Sequence, residues 1–292
     1  MDFEAISKFI SHSDRVKCVD IHPEKPLILT SLHTGNIQIW NYETKVLIKA
    51  IEICKKSVRC AKFIPRKNWI VTASDDRRIR VFDSNSFDLI HSFEAHSDFI
   101  RSIEIHPTLP YLISASDDKS IRIWDWENEW RIEQEMNGHT HYVMQIAINP
   151  NDSDMIVSAS LDKTLKIWKL GEEKEVATLE GHRNGINCIS FLGGSRIISG
   201  SDDKSLRIWN YETKECIETL EGAHQNNITC LVSFNNFIIS GSEDDYVKVW
   251  DSKSYRLGKE LKYSMGRIWC ACVQEPNFIS IGFDFGSITF NI

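Results

Sequence analysis

The 292-residue sequence lacks the marks of membrane and secreted proteins. No apolar run approaches the ~20 residues that a membrane-spanning helix needs. The first segment, MDFEAISKFISHSD, lacks the basic and apolar regions of a secretory leader. We therefore expect neither a membrane span nor a leader. Helical spacing of apolar residues and low-complexity linkers are also absent, which favours a single domain made of strands.

Motifs of enzymes and metal proteins are missing as well. The sequence contains no GxSxG, Walker or HExxH motif and no CxxC pair. We predict that the protein is not an enzyme, with no catalytic residue, no metal ligand and no cofactor. A net charge of −7 argues against nucleic acid as a partner of the whole surface.

A ladder of seven aromatic residues organises what is present. The intervals between them are 42, 42, 44, 41, 41 and 40 residues. The seven are Trp40, Phe82, Trp124, Trp168, Trp209, Trp250 and Phe290. A period in the forties with Trp-Asp pairs is typical of propeller blades, and alternating runs between Pro, Asp and Gly turns indicate strands. We predict an all-β fold, one seven-bladed propeller over residues 1–292, in which a strand near residues 3–10 closes the last blade.

The repeats resemble those of the WD-repeat family, whose blades are tied by a His, a Ser or Thr, an Asp and the Trp. Four repeats carry the full set, which is His96, Ser114, Asp118 and Trp124; His139, Ser158, Asp162 and Trp168; His182, Ser199, Asp203 and Trp209; and His224, Ser240, Asp244 and Trp250. The resemblance implies structural roles for these side chains, since a buried polar group without a partner costs about 1–3 kcal/mol.

Three repeats depart from this set, and we expect packing to hold their blades more than polar contacts do. The departures are Thr34 in place of Asp in the first repeat, which keeps His12, Thr30 and Trp40; Cys54 and Phe82 in the second; and Ser264 and Phe290 in the last.

Cysteine follows the same repeat. Five of the eight cysteines come two residues after an aliphatic residue at the start of a repeat, at positions 18, 60, 188, 230 and 270. This placement predicts small buried strand residues rather than zinc ligands or disulfides.

Positions that vary between repeats indicate where a ligand binds. After the first-strand aliphatic the seven repeats have Lys17, Arg59, Arg101, Met144, Asn187, Thr229 and Trp269. Before the structural Asp position they have His33, Asp75, Asp117, Leu161, Asp202, Glu243 and Phe283. Three successive cations, with Arg15 nearby, form either a solvated charged rim or an anion site.

Further side chains fit a ligand with one anionic end and a cationic interior. Asp98 and Asp117 are acids that the blade network does not need, and Tyr142 offers an aromatic ring with a hydroxyl. The C-terminus of a polypeptide with nearby lysines has this charge pattern. Exposed charge pairs contribute only about 0–1 kcal/mol each, so several must act together.

Longer segments extend the resemblance to one branch of the WD-repeat family. SDRVKCVDIHPEKP, FIPRKNWIVTASDDRRIRVF, FEAHSDFIRSIEIHPTLP, IWDWENEW, GHTHYVMQIAINP and YRLGKELKYSMGRIWCA look like the N-terminal propeller of beta-prime coatomer subunits. The alpha subunits have a related propeller. The resemblance implies a COPI coat propeller that binds C-terminal dilysine signals (KKxx or KxKxx) of membrane cargo for Golgi-to-ER retrograde transport. Family members continue into further domains, so we expect this protein to be an N-terminal part of a longer subunit.

The resemblance also assigns residues and partners. By position Arg15, Lys17 and Arg59 would bind the peptide carboxylate, Asp98 and Asp117 its lysines, and His33, Arg101 and Tyr142 would line the site. The implied partners are dilysine tails and other coatomer subunits, above all the alpha subunit. Ubiquitin follows only from family analogy. The implied location is the cytoplasm, peripheral on Golgi membranes and COPI vesicles.

One alternative stays open beside this hypothesis. A general WD-repeat scaffold would bind an anionic or phosphorylated peptide through Lys17, Arg59 and Arg101 and would not need Asp98 or Asp117. Binding of a phosphopeptide that survives loss of both acids would favour it.

Overall fold

The computed structural model describes residues 4–9, 14–274 and 278–291. Within those ranges, 28 strands form seven four-stranded antiparallel sheets, and the one helical element is a 3₁₀ turn at Pro65–Lys67. We number the sheets as blades 1 to 7. The fold is a seven-bladed, all-β propeller, as the aromatic ladder predicts.

The strands follow one another blade by blade along the sequence. Blade 1 has β2 (Val16–Ile21), β3 (Leu27–Leu32), β4 (Asn36–Asn41) and β5 (Val46–Glu52); blade 2 has β6 (Val58–Ile64), β7 (Trp69–Ser74), β8 (Arg78–Asp83) and β9 (Leu89–Glu94). Blade 3 has β10 (Ile100–Ile105), β11 (Tyr111–Ser116), β12 (Ser120–Asp125) and β13 (Arg131–Asn137); blade 4 has β14 (Val143–Ile148), β15 (Met155–Ser160), β16 (Thr164–Lys169) and β17 (Ala177–Glu180).

The remaining blades repeat this order. Blade 5 has β18 (Ile186–Leu192), β19 (Arg196–Ser201), β20 (Leu206–Asn210) and β21 (Glu215–Leu220); blade 6 has β22 (Ile228–Phe234), β23 (Phe237–Ser242), β24 (Tyr246–Asp251) and β25 (Leu257–Lys262). Blade 7 has β26 (Ile268–Gln274), β27 (Phe278–Phe283) and β28 (Gly286–Asn291), with β1 (Glu4–Phe9) as its fourth strand.

Blade 7 joins the first and last described strands. Strand β1 runs antiparallel to β28, with Glu4 opposite Asn291 and Phe9 opposite Ser287. This pairing confirms the predicted closing strand, although positions 3 and 10 lie outside the described residues. The pairing covers the free edge of β28, which would otherwise expose unpaired backbone groups.

The protein divides into two compact units. The first contains residues 1–100, 245–247 and 261–292, and so includes blades 1, 2 and 7 complete. The second contains residues 101–244 and 248–260, with blades 4 and 5 complete and most of blades 3 and 6.

Apolar side chains of the inner strands build the core of each unit. In the first unit Leu29, Val58 and Ile70 are fully buried in one cluster. In the second unit Val157 and Ile197 pack with Trp209, one of the repeat aromatics. The outermost strands of blades 1, 5 and 6 are mostly exposed, which is why their sequences alternate less strictly.

The predicted blade network is complete in blades 4, 5 and 6 and is shown in part in blade 3. In blade 5 the Nδ1–H of His182 donates to Asp203 Oδ2 at 2.8 Å, and Ser199 Oγ lies 2.8 Å from both His182 Nε2 and Trp209 Nε1. Blades 4 and 6 repeat all three contacts, and in blade 3 Trp124 donates to Ser114 at 2.9 Å. These histidines and aspartates stabilise the blades.

Blade 2 shows what replaces the network when His and Trp are absent. Asp76 binds Ser74 Oγ at 2.5 Å and Arg80 Nη2 at 2.6 Å instead of a histidine. The ring of Phe82 has no N–H to donate, and the hydroxyl of Thr72 is buried without a hydrogen-bond partner. In blade 1, Thr34 hydroxyl donates to Asp14 at 3.2 Å; His12 lies outside the described residues.

All eight cysteines are free thiols. Of the five repeated ones, Cys188 and Cys230 are buried, and those at positions 18, 60 and 270 are half-buried. Burial raises the pKa of the Cys230 thiol to about 12, which leaves it protonated and unreactive at neutral pH.

Membrane helices and metal-binding clusters are both missing from the described residues. The part of the sequence that the structure describes holds no helix with the length and apolar character needed to cross a membrane. In the same residues no group of three or more His, Cys, Asp or Glu side chains has an arrangement that holds a metal ion.

Candidate ligand-binding site

A β-bulge at the start of the inner strands presents the variable side chains. In blade 1 the pairing of β2 with β3 shifts between Val16 and Cys18, so Lys17 is the inserted residue. The same shift encloses Arg59 in blade 2 and Trp269 in blade 7. It recurs around Met144, Asn187 and Thr229. Because a bulge re-aims its extra side chain out of the ladder, these residues are presented together at one end of each blade.

The bulged residue meets the residue before the structural Asp of the same blade. Arg59 donates to Asp75 through Nε at 2.7 Å and Nη2 at 2.8 Å. Asn187 Nδ2 donates to Asp202 Oδ1 at 2.7 Å in blade 5. In blades 2 and 5 the two variable positions of the repeat are therefore direct neighbours across one hairpin and bind each other.

Three cations surround one indole in the first unit. Lys17 Nζ lies 3.8 Å from the ring centre of Trp269, and the guanidinium carbons of Arg15 and Arg267 lie 4.6 and 5.2 Å from it. The indole N–H donates to Asp284 Oδ1 at 2.8 Å. A cation over an aromatic face is stabilised by the ring quadrupole, by about 0.5–1 kcal/mol at exposed sites.

Asp284 accepts hydrogen bonds from the cations as well as from the indole. Arg15 Nε donates to Oδ1 at 2.9 Å, and the backbone N–H and Nε of Arg267 donate to Oδ2 at 3.1 and 3.3 Å. Burial raises the pKa of Asp284, but the bonds from Trp269 and Arg267 outweigh it and leave the pKa below its ordinary value of 3.8. Asp284 is therefore a carboxylate at neutral pH.

The lowered pKa of His33 indicates a positive electrostatic potential in this region. Its pKa is lowered from the ordinary 6.5, first by desolvation and then by the charges of Lys17, Arg15 and Arg59, while Asp75 acts in the opposite direction. The charges of all three predicted carboxylate-binding residues therefore act on the His33 imidazole. It stands at the position of blade 1 where blade 2 has Asp75.

Asp98 is the remaining predicted residue of the first unit. It is half-buried, and its Oδ1 accepts the backbone N–H of Phe99 at 2.8 Å. A carboxylate has about four lone-pair sites, so Asp98 can accept further donors beside this one.

The second unit contains the other three predicted residues, and they contact one another. Arg101 Nε donates to Asp117 Oδ1 at 2.6 Å, and Nη2 donates to Oδ2. The guanidinium carbon of Arg101 lies 5.9 Å from the ring centre of Tyr142. The Asp117 side chain is only 3% exposed, and the Arg101 guanidinium offsets its charge.

Sequence comparison missed three of these side chains, Trp269, Arg267 and Asp284. Trp269 was in the variable column but carries no charge. Asp284 follows Phe283 and so stands at the structural Asp position of its repeat, where the sequence predicts a role in the blade rather than in a site. The signal for it is Ser264, which stands where the repeat has its histidine, so that Asp284 has no histidine to bind.

Comparison with known proteins decides the family. The family model described as "WD domain, G-beta repeat" matches residues 3–41, 46–83, 87–125, 130–169, 173–210 and 214–251. The chain belongs to the WD-repeat family. It is also 60% identical over 98% of its length to "Probable coatomer subunit beta'" of Caenorhabditis elegans, and 57% identical over 96% to "Coatomer subunit beta'" of Homo sapiens. "Coatomer subunit beta'-3" of Arabidopsis thaliana is 66% identical over 64% of the sequence.

These matches confirm the predicted resemblance to the WD propeller of beta-prime coatomer subunits. The chain spans between a fifth and a third of the curated relatives it matches, namely 29% of the C. elegans protein, 32% of the human one and 21% of the Arabidopsis one. A WD propeller of this kind is a scaffold domain and not an enzyme.

Proposed function

We propose that this WD-repeat propeller works in a COPI coat and binds the C-terminal dilysine signals, KKxx or KxKxx, of membrane cargo for Golgi-to-ER retrograde transport. The similarity to beta-prime coatomer subunits supports the coat. The cations at Trp269 support an anion site, because Lys17, Arg15 and Arg267 bring three positive charges to one indole.

Arg15, Lys17 and Arg59 would bind the terminal carboxylate. Arg59 holds Asp75 with Nε and Nη2 and keeps its Nη1 edge for a ligand, since a guanidinium has five N–H donors. Charge-assisted hydrogen bonds contribute about 1.5–3 kcal/mol each. A free carboxylate should therefore bind roughly tenfold to a hundredfold more tightly than its amide.

Asp98 and Asp117 would bind the signal's lysine amines, with His33, Arg101 and Tyr142 lining the site. Asp117 can accept a lysine while it holds Arg101, because each of its oxygens has a second lone pair. Two lysines and one carboxylate involve few buried groups, so we expect micromolar affinity for one tail, or about −8 kcal/mol. Many copies in a coat would raise the avidity.

Calorimetry with two peptides tests the carboxylate site. A peptide that ends in KKxx with a free C-terminus is compared with the same peptide amidated. Tight binding of the free acid alone supports the proposal, and equal binding of both contradicts it. Phosphate on a peptide without lysines is a third arm, in which tighter binding would favour the general anionic scaffold.

Two variants test the acids. Asp98→Asn and Asp117→Asn should each weaken the dilysine peptide about tenfold, the scale of one lost charge-assisted bond. Asp202→Asn is the matched control, since Asp202 occupies the position of Asp117 in blade 5 and binds the neutral Asn187. Equal loss in the control variant would contradict a specific role for Asp117.

The proposal extends to partners and location. In such a coat the protein would contact other coatomer subunits, above all the alpha subunit, and would be cytoplasmic and peripheral on Golgi membranes and COPI vesicles. Co-purification of alpha and of the remaining subunits with the tagged full-length protein checks this assembly.

A further inference from the structure

We infer that Trp269 and Asp284 of blade 7 are positioning residues for the carboxylate site, which they extend beyond the residues of blades 1 to 4. The inference rests on the proposed binding of a C-terminal carboxylate. It assigns the indole as the platform that holds Lys17 and Arg15 side by side, and Asp284 as the group that fixes the indole and Arg15.

Asp284 does not bind a histidine of its own blade, although it stands at the structural Asp position of the repeat. In blade 5 the matching Asp203 accepts from His182 Nδ1 at 2.8 Å and from the backbone N–H of Arg183 at 2.9 Å, inside its own blade. Asp284 instead accepts from the Trp269 indole and from Arg15, which precedes the first strand of blade 1. A scaffold position has thus become a link between blades 7 and 1, both in the first unit.

Trp269 owes its place to the bulge at the start of β26. The ladder shift between Ile268 and Cys270 releases its side chain from the strand pairing. The half-buried ring then meets Lys17 and Arg15 at 3.8 and 4.6 Å. Its N–H is held by Asp284, so the ring has one fixed orientation.

The contacts of Trp269 and Asp284 reduce two costs that any carboxylate site made of Lys and Arg side chains has. Long flexible Lys and Arg side chains lose rotamer entropy when a ligand orders them, and like charges repel when they converge. The aromatic face of Trp269 attracts both cations, and the half-buried carboxylate of Asp284 offsets their repulsion. The donors are therefore ordered before the ligand arrives, which reduces the cost of binding.

The alternative is that Trp269 only packs the junction of two blades. The two roles differ in one measurable quantity, the ratio of free-acid to amide affinity. A packing role changes stability and affects both peptides alike. A positioning role acts through Lys17 and Arg15, so it affects only the peptide with a carboxylate.

The experiment measures that ratio by calorimetry for the wild type, Trp269→Leu and Trp269→Tyr. Trp269→Leu removes the aromatic face and should lower free-acid affinity about tenfold while amide affinity stays within twofold. Trp269→Tyr keeps a face for the cations and should recover most of the loss. Met144→Leu, at the same bulge position of blade 4, is the matched control and should leave the ratio unchanged.

The outcomes separate the two proposals. If the wild type binds acid and amide equally, the proposed carboxylate site is wrong. If the wild type prefers the acid but Trp269→Leu keeps the same ratio, only the role of Trp269 is wrong. Thermal unfolding of each variant identifies any that fails to fold. If Trp269→Leu does not fold, Asp284→Asn decides, since an unchanged ratio of free-acid to amide affinity in that variant overturns the inference.

Discussion

Arg59 and Asp75 are joined by two parallel hydrogen bonds, Nε to Oδ1 at 2.7 Å and Nη2 to Oδ2 at 2.8 Å. The pair is mostly buried, with 20% and 10% of the two side chains exposed. It orients the guanidinium, and it also places a negative charge beside the proposed carboxylate site. Asp75→Asn removes the charge but keeps one of the two acceptor oxygens, so one hydrogen bond can still orient the guanidinium.

We expect Asp75→Asn to raise the affinity for a free-acid dilysine peptide roughly twofold, because it removes a negative charge that repels the ligand carboxylate. Two like charges about 8 Å apart in water repel by about 0.5 kcal/mol. Calorimetry in low and moderate salt measures the gain, which should shrink as salt rises. Asp202→Asn is the control, and an equal gain there would contradict a local effect.

Thr72→Val should leave stability unchanged or raise it by up to about 1 kcal/mol, because it removes a buried hydroxyl that has no partner. Ser199→Ala, at the same position of blade 5, should instead destabilise by about 1–3 kcal/mol, since it leaves the Trp209 indole N–H without an acceptor and His182 Nε2 without its hydroxyl partner. Urea unfolding compares the two variants. Equal destabilisation would show that Thr72 takes part in a network after all.

Acid should unfold the protein partly through the blade aspartates. Burial raises the pKa of Asp203, but hydrogen bonds from His182 and Ser205 outweigh it and hold that pKa far below its ordinary 3.8. A depressed folded-state pKa gives stability that is present above about pH 4 and is lost as pH falls further. Urea midpoints from pH 7 down to pH 3 should therefore fall, and fall less steeply below pH 4 in Asp203→Asn than in the wild type.

His33 should take up a proton when the peptide carboxylate binds. Because the pKa of His33 is lowered in the folded protein, this residue costs no stability above about pH 6.5, and its protonation in the unfolded state reduces stability as pH falls from 6.5 to the folded value. An added anion favours the charged imidazole, so the pKa should rise with bound peptide. NMR titration of the ring protons measures both values.

Lys17→Met provides the independent check on that titration. It should raise the pKa of His33 in the free protein, because Lys17 is the first of the charges that lower it. His22 is an internal control, since burial and Lys25 lower its pKa and Lys17 is not among the causes. A shift of His22 as large as that of His33 would contradict a local electrostatic origin.

The sequence alone predicts the blades well because their chemistry repeats. The period of the aromatic ladder identifies each strand group, and the His-Ser-Asp-Trp set identifies which polar residues are structural. The closing strand β1 also follows from the repeat, since the sequence reaches Asn291 with only three strands of the last blade made.

Side-chain direction at the site is harder to predict from the repeat. Alignment gives the position of Asp284 in the backbone, but its direction depends on which donors compete for the carboxylate. Because blade 7 has no histidine at the matching position, Asp284 accepts hydrogen bonds from Trp269, Arg15 and Arg267 instead. Likewise, the alternation of cations and acids does not reveal that Arg59 and Asp75, or Arg101 and Asp117, bind each other within one hairpin.

The bulges have a consequence for how such a protein changes over time. An inserted residue such as Lys17 or Trp269 makes no ladder pair, so its replacement leaves the strand register intact. Lys, Arg, Met, Asn, Thr and Trp all occupy this position in one protein. Binding preference can therefore drift residue by residue at the bulges while the blades keep their fold, which makes the propeller a scaffold whose recognition surface is free to diversify.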